Sequence, residues 1–429
     1  MASVVVDSTS ALVVPPGAPI SAGPADAGLG SIAKCSSPPP VRSAKAARAQ
    51  RYQALSQARG WLKPLARKNP NKAYGWDLHR TQDCRYKRIG IGVTVHLDTK
   101  HQTAFYGDVS TCGSVWACPV CAAKIQNRRR PEVQRVVDWA YENGYQVTMI
   151  TFTFPHRAFD RLADLLAGQK AAFTAFRSGK AWQNFKAYYG FVGLVRSLEL
   201  THGKNGWHPH THELWITKTL SEARKGVFES AIRKRWRNCC VKSGLLDSTS
   251  PSQVFAFDLH SVDFSYDVST SDYLVKQDNS RKWGVDAEMT AAASKVGSDG
   301  VTPTIHPHEF LVRQQPGDDA RYREYVTGMH GKSQLFWSQR LKELCGLKDI
   351  SDEEIAKEQT EKADLLAHLT DSQWKVVRGN DALSELLDAA EFGGWASMRN
   401  LLLSLGCEFF EPDAQDPFFQ VNLSLFAPD

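Results

Sequence analysis

Residues 206–215 read Gly-Trp-His-Pro-His-Thr-His-Glu-Leu-Trp, with His208, His210 and His212 at alternate positions. Residues two apart in a strand project from one face, so His210 and His212 would present two imidazoles side by side, a bidentate arrangement for a divalent transition metal. Two histidines and one carboxylate leave coordination positions open for substrate oxygens. Glu199 is the best-placed carboxylate, because it lies just before the turn on the strand expected to pair with this one. The same alternation on a merely polar strand face would need no metal; a single histidine would carry no such implication.

A second cluster is Cys118-Pro-Val-Cys121, with Cys112 in the same short loop. Three thiolates so close repel one another unless a cation holds them, and tetrahedral zinc is the usual cation. Cys84 would complete a four-sulfur site; His96 and His101 are the alternative fourth ligands. No thioredoxin-like pattern surrounds the C-x2-C pair, which argues against redox chemistry. Cys239, Cys240, Cys345 and Cys407 have no ligand spacing, and Cys35 reads as an unpaired thiol. The second His-Pro-His, at 306–308, lacks a third alternating histidine and reads as a loop entering a helix or strand. Downstream of the histidine strand, Tyr273 and Lys276 are spaced to be neighbours on a helix and could converge on one phosphate. A tyrosine nucleophile needs such help, since its free pKa of about 10 leaves little phenolate at neutral pH.

The elements that must position these groups can be read from periodicity. Helical spacing covers 131–143, β-formers run from Tyr145 to Phe154 up to Pro155, and 158–187 reads as helical. Strands over 191–201 and 208–217 flank Gly203-Lys-Asn-Gly206, the signature of an antiparallel hairpin. A helix at 221–242, a strand at 253–262 and a helix at 270–278 complete the order β-α-β-β-α-β-α. That order predicts an α+β fold, a central antiparallel sheet with helices on one face. Residues 90–106 read as a further hairpin, 42–67 as a basic helix, and Ser351-Asp-Glu-Glu354 as a capped helix start. The expected organisation is a disordered tail over 1–45, a basic, cysteine-rich zinc-binding region over 46–130, an α+β domain carrying the histidine strand over 131–345 and an acidic helical region over 346–429.

Charge divides along the chain. Residues 41–130 hold 18 Lys or Arg against 4 Asp or Glu, whereas 351–429 hold 5 against 16. The first block interleaves basic and aromatic residues, among them Tyr52, Arg85 and Tyr86, as in surfaces that neutralise phosphates and stack bases, and Arg128-Arg129-Arg130 would lie on DNA beside the zinc. The two blocks read as two different surfaces. No window approaches the 18 or more apolar residues of a membrane span, and the start lacks the basic segment of a secretory signal, which points to a cytoplasmic protein.

The ordered set Thr151-Phe-Thr-Phe-Pro-His156, Pro209-His210-Thr211-His212 and Tyr273-x-x-Lys276 resembles the three motifs of rolling-circle plasmid replication initiators, Rep proteins of the HUH endonucleases. The cysteine element resembles the one ahead of the first motif in that family, and Gly331–Ser338 with Ser351–Glu354 resembles the closing segment of its actinobacterial members. The resemblance spans about 84–355. It implies an HUH-like fold and nicking of one strand at a double-strand origin, with Tyr273 linked to the 5′ phosphate and a 3′ hydroxyl freed as primer. It also implies His210, His212 and Glu199 as ligands of Mg²⁺ or Mn²⁺, Lys276 as helper cation, and structural Zn²⁺ at the cysteines. Its partners would be plasmid origin DNA, single-stranded or in a hairpin, and the host helicase and replication machinery. Thr211 stands where the family usually has an apolar residue, and Ser269 where some members have a glutamate that activates water at termination; Asp272 or a second tyrosine such as Tyr266 would have to serve. A conjugative relaxase usually has its tyrosine before the histidines, and a zinc-containing regulator without catalysis would leave the histidines idle.

Overall fold

The computed structural model describes residues 44–71, 76–268, 304–357 and 363–408. Tyr273 and Lys276, with Asp272, Ser269 and the helix expected at 270–278, lie outside the described residues, as does Cys35.

The longer elements, in chain order, are α1 (Ala44–Trp61), β1 (Val93–Asp98), β2 (Thr103–Gly107), α2 (Pro119–Glu142), β3 (Tyr145–Phe152), α3 (Leu162–Phe176), α4 (Gly179–Tyr189), β4 (Gly193–Gly203), β5 (Gly206–Lys218), α5 (Glu222–Lys242), α6 (Pro251–His260), β6 (Val262–Ser265), α7 (Asp318–Gly328), β7 (Leu335–Trp337), β8 (Ala363–Leu369), α8 (Asp371–Gly379) and α9 (Leu383–Ser404). The chain is a mixed α and β fold with antiparallel sheets. Five strands in the order β6-β3-β5-β4-β7 form the larger sheet, and β8-β1-β2 form a smaller one.

Parity along β5 decides what each face of the larger sheet must meet. Thr211, Glu213, Trp215 and Thr217 share one face, where Trp215 and Phe152 pack on Phe173 and Phe176 of the α3 side, Trp182 and Phe185 of α4, and Phe228 and Trp236 of α5. Glu213, beside His212 in sequence, therefore points away from it and is held by Arg177 and by Trp215 Nε1, which donates at 2.7 Å. The other face of β5 changes character along its length, from His208, His210 and His212 to Leu214 and Ile216. That apolar half needs a cover. Val133, Val136, Val137 and Ala140 of α2 supply it, with Val147 and Met149 of β3 and Val195 of β4 completing the layer. The expectation of helices on one face alone is thus corrected: α2 covers the apolar half of the second face and does not extend over the histidine half.

Two local expectations also change. The single helix over 158–187 is two, broken after Phe176 where Ser178 is extended and Gly179 takes a positive φ of 77°. Most of the run 253–262, up to His260, is helix rather than strand. Pro251 sits in its first turn after Ser250, the run lacks a period of two, and only Phe257 is buried; the strand starts at Val262.

The C-terminal region is not purely helical, because β8 pairs along β1 of the hairpin, and α8 and α9 close a second core over that small sheet. The acidic block lies against the basic one. Arg48 pairs with Asp388 at 2.9 Å and with Glu391, Arg80 with Glu353 at 2.6 Å, Arg88 with Asp371 at 3.8 Å and Arg129 with Asp352 at 2.8 Å. The two blocks are therefore in contact through four arginines of the first, rather than wholly separate surfaces. Ser351 and Glu354 form the capping box expected of them.

The hairpin joining β4 to β5 turns through Lys204 and Asn205. Gly206 there has φ of 78°, and a Cβ added to it would meet the carbonyl oxygens of Ala158 at 2.9 Å and Arg157 at 3.0 Å. Neither oxygen belongs to a side chain that can swing away. Gly206→Ala should lower stability by about 2 kcal/mol or more, read as a shift of the urea unfolding midpoint by tryptophan fluorescence. An unchanged midpoint would show that the turn is not constrained in this way.

Candidate functional site

β4 and β5 pair with Glu199 opposite His210 and Ser197 opposite His212, while β3 brings Thr151 opposite His212 from the other side. Side chains of directly opposed residues share a face, so the three expected ligands converge by register alone. His210 Nε2 lies 2.9 Å and His212 Nε2 3.5 Å from Glu199 Oε2; the two histidine side chains keep 13% and 14% of their exposure, against 5% for the carboxylate. The carboxylate is the most buried of the three groups, and each ring keeps a small exposed edge.

Second contacts set the rings. His210 Nδ1 donates to the His208 carbonyl at 3.2 Å and His212 Nδ1 meets Thr151 Oγ1 at 2.9 Å, so in both rings Nε2 is the atom turned to Glu199. This is how histidine ligands are oriented in metal sites. Burial would push the Glu199 carboxyl up, but His212 and His210 outweigh it and hold it at about 2. Burial would push His210 down, and the hydrogen bond to Glu199 reverses that. A carboxylate buried this deeply persists only beside positive charge. Glu199 Oε1 has no hydrogen-bond partner, and the three ligand atoms lie within 4.8 Å of one another. The donor set, two imidazoles and one carboxylate with open positions, fits Mg²⁺ less well than Mn²⁺ or another first-row ion, and could hold either.

The row continues beyond the ligands. His208 Nε2 meets Thr153 Oγ1 at 2.7 Å, and His156 donates from Nδ1 to the Asn205 carbonyl at 2.8 Å while its ring stands 4.7 Å from that of His208. Thr151, Thr153 and His156 thus orient the histidine row. The sequence signal for them was the Thr-Phe-Thr-Phe-Pro-His run, whose alternation was legible but whose contacts were not.

The four cysteines come together as expected, and the fourth is Cys84. Its sulfur lies 3.7 Å from that of Cys118 and 3.5 Å from that of Cys121, and Cys112 lies 3.8 Å from Cys121. Zn–S bonds of 2.3 Å at tetrahedral angles put sulfurs about 3.8 Å apart, so the buried group could hold zinc. Burial and the neighbouring thiols push the Cys118 thiol up, while hydrogen bonds from Cys112, Cys118 and Cys84 pull Cys121 down, a set that cannot ionise fully without a cation. Two guanidiniums sit beside it. Burial works against the charge of Arg85, but Tyr52 and the cysteines raise its pKa; Arg59 is lowered by burial, against Cys84 and Cys118, and donates to the Cys84 carbonyl at 2.7 Å. Together they would offset the two net negative charges of a four-thiolate zinc centre. His96 and His101, the alternative ligands, lie elsewhere: His96 stacks on Phe105 and His101 contacts Asp98.

Some expected DNA contacts are instead structural. Arg85 is buried, and Arg128 and Arg129 both pair with Glu132. Tyr266 is on the wrong side of the sheet, beside Phe264 against α5, with its hydroxyl donating to Glu229 at 3.1 Å and its pKa raised by burial and that carboxylate. It is corrected as a candidate for termination.

The second His-Pro-His joins the two centres. Ile305 bridges His202 on β4, His306 stands within reach of the Glu199 charge, and His308 Nε2 donates to the Trp116 carbonyl in the cysteine loop at 2.5 Å. Tyr322 donates to the Ala117 carbonyl at 2.8 Å, and Trp116 Nε1 to that of Lys332 at 2.6 Å. All four cysteines belong to the main hydrophobic core.

Over 299 residues the chain is 26% identical to "Protein rep" of Streptomyces lividans, covering 55% of this chain and 64% of that protein. Over 141 residues it is 31% identical to "Neomycin resistance protein" of Streptomyces cyanogenus, covering 27% of this chain and 32% of that protein. The chain thus spans less than two thirds of either relative. No family model and no solved structure matches it. Among the described residues no helix is long and apolar enough to cross a membrane.

One zinc per chain should copurify, by elemental analysis. Cys118→Ser should release it and, because the cysteine loop is tied to His308 and so to β4, should also weaken Mn²⁺ binding at the histidines about tenfold or more, read by Mn²⁺ EPR. Unchanged Mn²⁺ affinity in a folded, zinc-free variant would separate the two centres. Conversely, His210→Ala with His212→Ala should abolish Mn²⁺ binding and leave zinc content intact.

Proposed function

We propose that the chain initiates plasmid replication by nicking one strand of origin DNA. The observation that carries this reading is the Glu199, His210 and His212 cluster on the sheet face, in a chain similar to a protein named for replication. A regulator that only binds DNA has no use for a buried carboxylate, one oxygen of it without a hydrogen-bond partner, facing two oriented imidazoles.

In this reading Glu199, His210 and His212 would hold Mg²⁺ or Mn²⁺, which would supply Lewis-acid stabilisation of charge on the phosphoryl group. The Tyr273 oxygen attacks phosphorus, the bond from phosphorus to the 3′ oxygen breaks, and that oxygen takes a proton to become the primer hydroxyl. The DNA 5′ phosphate stays on Tyr273. Lys276 lowers the cost of the phenolate and of charge on the phosphoryl group. Covalent geometry allows it. Val268, under α2, is hydrogen-bonded to Val147, four residues along β3 from Thr151, about 13 Å. Five residues separate Val268 from Tyr273, a reach of about 17 Å when extended. The chain returns at Thr304 and Ile305, beside Gly203 and His202 at the other end of the same strand pair.

Supercoiled plasmid carrying the cognate origin should be converted to the nicked form with Mn²⁺ and not with EDTA. Tyr273→Phe should abolish the covalent DNA adduct while leaving binding and the unfolding midpoint nearly unchanged, since it removes one oxygen and no packing volume. Equal cleavage in EDTA and Mn²⁺, or an adduct that persists in the variant, would overturn this assignment; a chain that binds DNA and never cuts it is the zinc-containing regulator.

A further inference from the structure

Since four arginines of the N-terminal basic block pair with carboxylates beyond residue 351, the question is which other basic surface could meet phosphates. α5 answers it. Its sequence carries Arg224, Lys225, Arg233, Lys234, Arg235, Arg237 and Lys242 against Glu222 and Glu229. Phe228, Ile232, Trp236, Cys239 and Cys240 fix one face of the helix in the core. Arg235 is used internally, donating to the Phe176 and Ser178 carbonyls at 2.6 and 2.8 Å.

The outward face borders a groove of about 880 Å³, whose lining includes Arg233, Lys234, Arg237 and Lys242, with Ser248 and Asp258 on the facing side. From Gly226 to Lys242 this stripe runs about 24 Å, the length of about seven successive phosphates on one strand of a duplex. Its acidic members do not cancel it. Arg237 and Asp258 meet at 2.9 Å with both side chains well exposed, and Arg233 is 4.0 Å from Glu229. Exposed pairs of this kind are weak and readily exchanged for a phosphate oxygen. The groove is lined without any aromatic side chain; Phe255 of α6, exposed, lies outside it. Single-stranded DNA is held by stacking bases on aromatics, whereas phosphate contacts from a rigid helix suit a duplex.

We propose that the α5 groove binds the phosphate backbone of duplex DNA, on the side of the sheet remote from His210 and His212. The proposal rests on the nucleic-acid reading above and adds a second contact surface to it. A duplex gripped there would be held by one face of the sheet while the opposite face works on a separated strand.

The test is fluorescence anisotropy with a labelled 20-base-pair duplex and the matching single strand, for the full chain and for the double variant Lys234→Gln, Lys242→Gln, both exposed positions. The variant should bind the duplex about tenfold or more weakly, with the slope of log affinity against log salt shallower by about two, as for two lost phosphate contacts. Single-strand affinity and Mn²⁺ binding should be unchanged. Equal duplex affinity and slope in a folded variant overturn the groove, and leave the nicking reading standing. A parent chain that binds neither form of DNA overturns both.

Discussion

The register of β4 against β5 is the constraint on which the metal face depends. A period of two means that a slip of one residue would send His210 and His212 into the aromatic layer with Trp215 and bring Glu213 outward. Two devices prevent it. The tight turn at Lys204 and Asn205, closed by Gly206 against the Arg157 and Ala158 carbonyls, fixes the count of residues. The hydrophobic set on each face does the rest, because Trp215 and Phe152 have to reach α3 and α5 while Leu214 and Ile216 have to reach α2. Once those are satisfied, Glu199 meets His210 with no further choice.

The same logic separates what the sequence discloses from what it conceals. Alternation is local, so both hairpins, the three ligands and the cysteine loop could be read directly from residues 84–121 and 193–218. The strand misread at 253–262 is a short apolar run, for which period alone does not distinguish helix from strand; the signal that decides it is Pro251. The cover on the second face was harder to see. It requires noticing that the even positions of β5 turn apolar after His212, and that α2 carries valines at 133, 136 and 137 to match.

Charge was the largest departure, since composition by segment says nothing of which segments meet. The basic block and the acidic block are far apart in sequence, and their separation resembles the pattern of a DNA-binding arm and a solvated tail. In the fold, Arg48, Arg80, Arg88 and Arg129 each find a carboxylate from beyond residue 351. Only Arg129, with 11% of its side chain exposed, and Arg48, with 12%, are withdrawn enough from solvent for such pairs to act mainly as fixed links rather than screened surface contacts. The Arg48 pair therefore ties α1 to α9, and the Arg129 pair ties α2 to the segment that begins at Asp352.

The cysteine loop shows why a four-thiol cluster belongs in this core. Residues 108–118 contain hardly any regular secondary structure, so few backbone hydrogen bonds fix their path. Yet their carbonyls at Trp116 and Ala117 accept from His308 and Tyr322, and His308 is three residues from the bridge that ends β4. A loop without internal structure can serve as an anchor only if something else immobilises it. The sulfurs of Cys112, Cys118 and Cys121 converge with that of Cys84, from a separate stretch of chain, so a bound ion would fix all of them at once. Held in that way, the Trp116 carbonyl becomes a rigid acceptor, His308 is pinned, and the edge of β4 that carries Glu199 inherits the rigidity that an oriented ligand set requires.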